Sequence, residues 1–377
     1  MRALTQFIVD IPTRNPDLFY LCRLPIPDPV VFFRHRNRSH LILSDLEFDG
    51  ARRQATVDDV LSLRPYAQKA KARHGAMGHA EIILEVCHER KIRRIEMPST
   101  TAAGIVDRLR AAHLQVTLRP VPFCPQRLIK SPTELQAIRQ AMRATFRAMG
   151  VVEMTLQQTR IRRDHQLELH GEIVTAERLK IIAGTALIDE GYSAPEGMII
   201  AGGHDSCEPH NQGSGPLHAH TSIVVDLFPR SNTDYFFGDA SRTFCRGKAP
   251  PALAQLYQTV LAAQQWAIKE IRPGVDGAAI HRGIQKRFSA AGYPTGEKEG
   301  RREGFMHGTG HGLGLALHEE PLRIGPLPCR LRAGHVVTVE PGLYYRAIGG
   351  VRIEDVVVVT RTGGQLLARY PRRLEIL

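Results

Sequence analysis

The 377-residue chain is predicted to be an α+β protein of two domains. A smaller α/β domain is expected over residues 1–125 and a larger mixed domain over residues 126–377. Three observations predict this. Strand-like and helix-like runs alternate up to about residue 118, the pattern of a layered α/β unit. Pro120, Pro122 and Pro125 then punctuate an extended linker. Beyond it, long helical stretches are followed by apolar strands that carry acidic residues.

In the first domain, residues 30–33 and 41–43 read as strands, and 57–63 and 79–88 as helices. Residues 92–97 read as a strand, 101–113 as a helix and 114–118 as a further strand. No cluster of catalytic residue types lies there. The second domain opens on a helix start signal. Ser131 caps it, Pro132 suits the first helical position and Glu134 completes a capping box. Leu135, Ile138, Met142, Phe146 and Met149 follow at spacings of three and four, giving one apolar face. A second long helical stretch precedes a glycine-rich region from Gly197 to Gly215. Strands are expected at 221–228 and 234–237, and helices at 252–271 and 277–291. The last strands fall at 336–340, 351–360 and 365–368.

Composition places the chain in an ordinary globular class, with 43% hydrophobic and 23% charged residues. No apolar run is long enough to cross a membrane. The first ten residues lack an apolar leader core and a small-residue cleavage site. The expected location is therefore the cytoplasm. Six scattered cysteines with no C-x-x-C pair read as reduced thiols. The net charge of +12 is spread over clusters such as Arg34, Arg36 and Arg38, then Arg90, Lys91, Arg93 and Arg94. No nucleic-acid motif accompanies them and aromatics are only 6%, too few for stacking platforms. The charge reads as a solvated surface, with no specific nucleic-acid partner.

The chemistry is concentrated in five residues: Asp226, Asp239, His311, Glu340 and Glu354. Asp226 ends the apolar run Ile223-Val224-Val225. Glu340 ends Val336-Val337-Thr338-Val339, and Glu354 precedes Val356 to Val359. Ionised carboxylates on such strands are costly unless paired or bound to metal. Four carboxylates and an imidazole suit two divalent cations, and two cations suit hydrolysis of a carbonyl compound. His307 and His311 have helical zinc-pair spacing, but Gly308, Gly310, Gly312 and Gly314 argue for a loop or extended strand. His318 adds a third imidazole nearby. In a strand, Arg352 and Glu354 share a face, and a buried arginine there reads as a partner for a substrate or ligand. Asp226 and Asp239 flank a turn-like segment, which fits a hairpin bringing both to one end.

These stretches resemble the pita-bread metallopeptidases, a group spanning Xaa-Pro aminopeptidase, Xaa-Pro dipeptidase (prolidase) and methionine aminopeptidase, with creatinase as a metal-free relative. The resemblance rests on residues 237–244, 307–314, 339–344 and 350–355, and on the opening segment 128–134. It implies a pita-bread catalytic domain over 126–377 behind a creatinase-like N-terminal domain. It also implies a peptidase that cleaves Xaa-Pro bonds with a metal-bridging hydroxide. Asp226 would bind one ion, His311 and Glu340 the other, with Asp239 and Glu354 bridging. Glu340 would accept the proton. His210 and His318 would act on the substrate, and His307 would line the pocket. Arg352 matches the arginine of the proline-specific branch. The implied cofactors are two divalent ions, manganese first, with cobalt or zinc fitting the same ligands. The implied partners are peptides with proline in second position and a second copy of the chain in a homodimer; no membrane is involved. Two departures stand out. The Asp226–Asp239 spacing is about two residues longer than the common pattern, with Phe228 in place of a frequent glycine, and Ala316 replaces a frequent acidic residue. A non-peptide amidinohydrolase of the same fold, and a retired binding protein, are the alternatives; both would be expected to lack the ligand set retained here.

Overall fold

The computed structural model describes residues 4–377. The chain divides into two compact units, Met1–Arg127 and Leu128–Leu377.

The first unit is built on one six-stranded sheet: β1 (Thr5–Asp10), β2 (Val30–His35), β3 (Arg38–Leu43), β4 (Asp59–Ser62), β5 (Arg94–Pro98) and β6 (Gln115–Arg119). The strand order is β4-β3-β2-β1-β5-β6. Side chains alternate between two buried faces. Phe7, Val31, Phe33, Ile42 and Ile95 enter one core, while Ile8, Val30, Phe32, Leu41 and Leu43 enter the other. Cores on both faces explain why β2 and β3 carry continuous apolar runs. One expectation is corrected here. Residues 57–63 are not helical: Asp59–Ser62 forms the parallel edge strand β4, with His40 opposite Asp59 and Leu41 opposite Val60. A helix starts only at Leu63, where the Ser62 hydroxyl accepts the Arg64 N–H at 3.2 Å. Four to seven apolar residues suit either element, and pairing with β3 decides the outcome.

In the second unit the helix Pro132–Gln158 starts as its sequence dictates, with the Ser131–Glu134 capping box formed in both directions. It packs with helix Ala176–Asp189 against a sheet ordered Ile199–Gly202, Ile223–Leu227, Ala240–Arg246 and Glu375–Ile376. Met149, Val152, Leu179 and Ala183 meet Ile200, Ile223, Val225 and Leu227 in this core. Helices Pro251–Glu270 and Gly277–Ala290 back a second set of strands in the same way. There Leu256, Val260, Ile280 and Ile284 meet Val337, Val339, Val351, Val357 and Val359. The two sets join edge to edge: Glu354 N–H donates to the Ser241 carbonyl at 3.0 Å, and the Thr243 hydroxyl donates to the Arg352 carbonyl at 2.9 Å.

Two further expectations change. Residues 234–237 form no strand; the partner of Ile223–Leu227 is Ala240–Arg246, with Asp226 opposite Ser241. Phe237 N–H instead donates to the Gly314 carbonyl. The single strand expected over 351–360 is two: Gly349–Arg352 pairs with Gly342–Tyr345, and Asp355–Val359 with Val336–Val339. Ile353 and Glu354 form the step between the two pairings, where the Glu354 N–H turns to Ser241. No helix among the described residues is long and apolar enough to cross a membrane.

Candidate active site

Each acidic residue is placed by its own element. In Ile223–Leu227, Ile223, Val225 and Leu227 face the helices, which sends Asp226 to the opposite side. Asp239 is set by Gly238. A Cβ at Gly238 would lie 2.4 Å from the Thr145 hydroxyl and 2.8 Å from the Ala141 carbonyl. Only glycine lets the chain run that close to helix Pro132–Gln158. His311 depends on Gly310, whose Cβ would lie 2.0 Å from the Thr338 carbonyl. The crossing lets the His311 N–H donate to the Thr338 hydroxyl at 3.0 Å. That hydroxyl donates in turn to Glu340 Oε1 at 3.1 Å. The Ser241 hydroxyl donates to Glu354 Oε2 at 3.0 Å.

These residues converge on a cavity of about 350 Å³. Its walls include all nine residues singled out from sequence: Asp226, Asp239, His311, Glu340, Glu354, His210, His307, His318 and Arg352. Ile199, Phe228 and Leu317 add apolar surface. Phe228, one of the departures, is thus a wall of the site.

Carboxylates and one imidazole crowd together at its base. His311 Nδ1 faces the Gly312 carbonyl at 3.1 Å, and a carbonyl only accepts, so Nδ1 carries the proton. That leaves the Nε2 lone pair 3.5 Å from Asp239 Oδ2 and 3.4 Å from Glu340 Oε1. Asp239, His311 and Glu354 each offer a ligand atom, all within 4.8 Å of one another. Asp226 Oδ1 and Glu354 Oε1 are buried with no hydrogen-bond partner. Burial, with repulsion among Asp226, Glu340 and their neighbours, pushes the Asp239 and Glu354 carboxyls well above the usual carboxylate range. Burial pushes Glu340 up to about 7. Acceptors crowded together in this way fit cations between them, and the oxygen-rich set fits divalent ions.

Arg352 is held inside the protein. Its guanidinium donates to Asp226 Oδ2 at 2.7 Å, the Tyr344 hydroxyl at 2.9 Å, the Ser241 hydroxyl at 3.1 Å and the Pro209 carbonyl at 3.2 Å. The bond to Asp226 fixes that carboxylate, and Arg352 also lies in the cavity wall. His307 is equally engaged. Its Nδ1 donates to the Gly308 carbonyl at 2.8 Å, and its Nε2 accepts from the Tyr344 hydroxyl at 2.8 Å. Burial, with the Arg352 cation adding to it, pushes this imidazole down to about 3. It is neutral and shows the cavity a ring rather than a free proton. His318 lies on the exposed side, its ring 4.2 Å from that of His311 and edge-on. His210 is exposed at the mouth.

Sequence reasoning assigned no role to Thr338, Ser241, Tyr344 or Glu319. Thr338 had a legible signal, a hydroxyl inside Val336-Val337-Thr338-Val339 that needs a partner when buried. Glu319 had none. It pairs with Lys130, both 1% exposed, and its Oε1 accepts the Leu315 N–H at 3.0 Å. The pair fixes the loop between His311 and His318 from beneath.

Comparison with known proteins agrees with this geometry. Residues 136–361 match the family model of metallopeptidase family M24. A Bacillus subtilis protein described as a dipeptidase, YkvY, is 34% identical over 270 residues, covering 66% of this chain and 72% of that protein. The Xaa-Pro dipeptidase of Pyrococcus furiosus is 34% identical over 180 residues, about half of each chain (47% and 48%). Among solved structures, the prolidase of Pyrococcus horikoshii superposes with a TM-score of 0.79 at 23% identity, covering 98% of this chain and 95% of that one. The X-Pro aminopeptidase of Thermotoga maritima gives 0.79 at 22% identity, covering 99% and 97%. The structural likenesses establish the pita-bread fold. With the family match spanning most of the second unit, the chain belongs to metallopeptidase family M24, a family of peptidases.

Proposed function

We propose that this chain is a peptidase using two divalent ions to hydrolyse the Xaa-Pro bond at the N-terminal end of a peptide. The observation that carries the metal part is the meeting of the His311 Nε2 lone pair with Asp239 Oδ2 and Glu340 Oε1 at 3.4–3.5 Å. Asp226, Asp239, His311, Glu340 and Glu354 would hold the ions. When bound, the ions polarise the scissile carbonyl and make water a nucleophile at neutral pH. Glu340 would take the proton released by that water on its carboxylate. His318 donates to the oxygen of the tetrahedral carbon. His210, at the mouth, contacts the substrate. Ile199, Phe228 and Leu317 shield the reacting bond from solvent.

Proline specificity is supported by the relative named Xaa-Pro dipeptidase and by the sequence resemblance at Arg352. Manganese as the native ion, a homodimer and a cytoplasmic location belong to the same proposal on the strength of that resemblance. The test is a panel of Xaa-Pro dipeptides and longer peptides with Mn, Co and Zn, run beside Glu340→Gln. The expected result is cleavage before proline that needs metal and falls at least 100-fold in the variant. Wild-type turnover by Glu340→Gln removes the proton-acceptor role. Equal cleavage of peptides lacking proline removes the specificity.

A further inference from the structure

A second cavity, of about 410 Å³, adjoins the first. Arg301, Arg302 and Arg346 line it. Among the described residues none of these three guanidinium groups has an ion pair or a side-chain hydrogen bond. The two acids in the same wall are already used as acceptors. Glu303 Oε1 takes the Arg346 backbone N–H at 2.9 Å, and Glu208 Oε2 takes the Asn211 side-chain amide at 3.1 Å. Three arginines against two glutamates leave the lining positive on balance, which favours an anion, and a guanidinium fork matches a carboxylate.

The backbone that carries the arginines is anchored. Arg301 and Arg302 lie on a hairpin, Gly296–Lys298 with Arg301–Glu303. Gly304, which follows it, exchanges backbone hydrogen bonds of 3.0 and 3.2 Å with Tyr344. The second cavity also opens beside the reaction site. Pro209 lines both, and Tyr344, in the wall of the second, donates to His307 in the wall of the first.

We propose that this arginine-lined cavity is a subsite for a peptide carboxylate, either the C-terminal carboxylate or an acidic side chain of a residue following the cleaved bond. This rests on the peptidase reading of the adjoining site and adds a substrate class to it: peptides of three or more residues carrying an anion beyond the second. A dipeptide ends too early to use it.

The test is isothermal titration of manganese-loaded protein carrying Glu340→Gln, which suppresses turnover so that binding alone is read. The probes are Ala-Pro-Ala as free acid and as amide, Ala-Pro-Asp amide, Ala-Ala-Ala as acid and as amide, and the dipeptide Ala-Pro. Ala-Pro-Ala acid should bind about tenfold more tightly than its amide, a ratio worth about 1.4 kcal/mol. Adding Arg302→Ala and Arg346→Ala should abolish that ratio and leave Ala-Pro binding unchanged. Both arginines are exposed, so melting temperature should hold, and a Lys replacement should restore part of the ratio. Ala-Pro-Asp amide binding like the acid assigns side-chain anions to the subsite as well; binding like the neutral amide restricts it to the terminus, and either supports the proposal. Equal binding of acid and amide, or a ratio that survives the arginine replacements, overturns it. If wild type fails to cleave Xaa-Pro bonds while Ala-Ala-Ala acid still shows the arginine-dependent preference over its amide, the proline reading fails and the anion subsite stands.

Discussion

Thr338 shows how one hydroxyl orders a site. It accepts from the His311 N–H and donates to Glu340, so a single oxygen fixes a candidate ligand's backbone and a carboxylate's rotamer. Thr338→Val keeps the shape and removes both bonds. Leaving a buried N–H unsatisfied costs about 1–3 kcal/mol, so urea unfolding should show a loss of that size, with kcat reduced about tenfold or more. A variant with wild-type stability and rate would show that neither bond matters. His335, three residues earlier, makes a pH prediction. It is 7% exposed, and its Nδ1 accepts the Arg332 N–H at 3.1 Å. Burial, then the Lys130 and Arg332 cations, pushes it down to about 4. A depressed folded-state pKa means that the stabilisation is complete above the unfolded value of 6.5 and lost as pH falls through 4. The loss should reach roughly 3 kcal/mol near pH 4. His335→Asn keeps an acceptor and cannot be protonated, so its melting temperature should fall less than wild type's between pH 7 and 4.5. Parallel curves for the two proteins would contradict this.

At the scale of elements, the buried pair of Lys130 and Glu319 joins the lead-in of helix Pro132–Gln158 to the loop that carries His318. Removing one partner of such a pair leaves an uncompensated charge and costs about 3–5 kcal/mol, whereas neutralising both is far milder. Lys130→Met alone should therefore unfold at lower urea and lose activity. Lys130→Met with Glu319→Gln should recover most of the stability, and also the rate, because Gln still accepts the Leu315 N–H. A single variant as stable as wild type would mean that the pair contributes little. The same scale explains where the strand expectations held and where they moved. Apolar runs located Ile223–Leu227 and Val336–Val339 because both strands are buried, packing against helices. The same signal misplaced the partner of Ile223–Leu227: Tyr235, Phe236 and Phe237 look strand-like in sequence, but the ladder forms at Ala240–Arg246 and the Phe237 N–H goes to the Gly314 carbonyl.

For the whole molecule, the unit Leu128–Leu377 gathers five carboxylates in one cavity, Glu320 joining the four candidate ligands. Cations that bind only the folded state stabilise it, by about 2.7 kcal/mol at a hundredfold excess over Kd. Calorimetry with manganese and then with EDTA should move a transition of that unit upward and back by several degrees. An identical melting curve in both conditions would count against a metal site built from these residues.

Some of this was legible in the chain itself. The helix start at Ser131, the apolar faces and the acidic residues of the cavity follow from local rules: capping chemistry, period and the cost of carboxylates on apolar strands; His210 was legible only through the family resemblance. These signals are local because each is carried by a few neighbouring residues. What the sequence could not supply was partnership across long separations. Arg352 looked free for a ligand until Asp226, 126 positions away, was found 2.7 Å from it. His307 looked like one more imidazole until Tyr344 and Gly308 accounted for both its nitrogens. Lys130 and Glu319 lie 189 positions apart and meet only because two elements cross. Hydrogen-bond direction, tautomer and the pairing of buried charges depend on which groups lie within about 3 Å, and only the tertiary structure decides that.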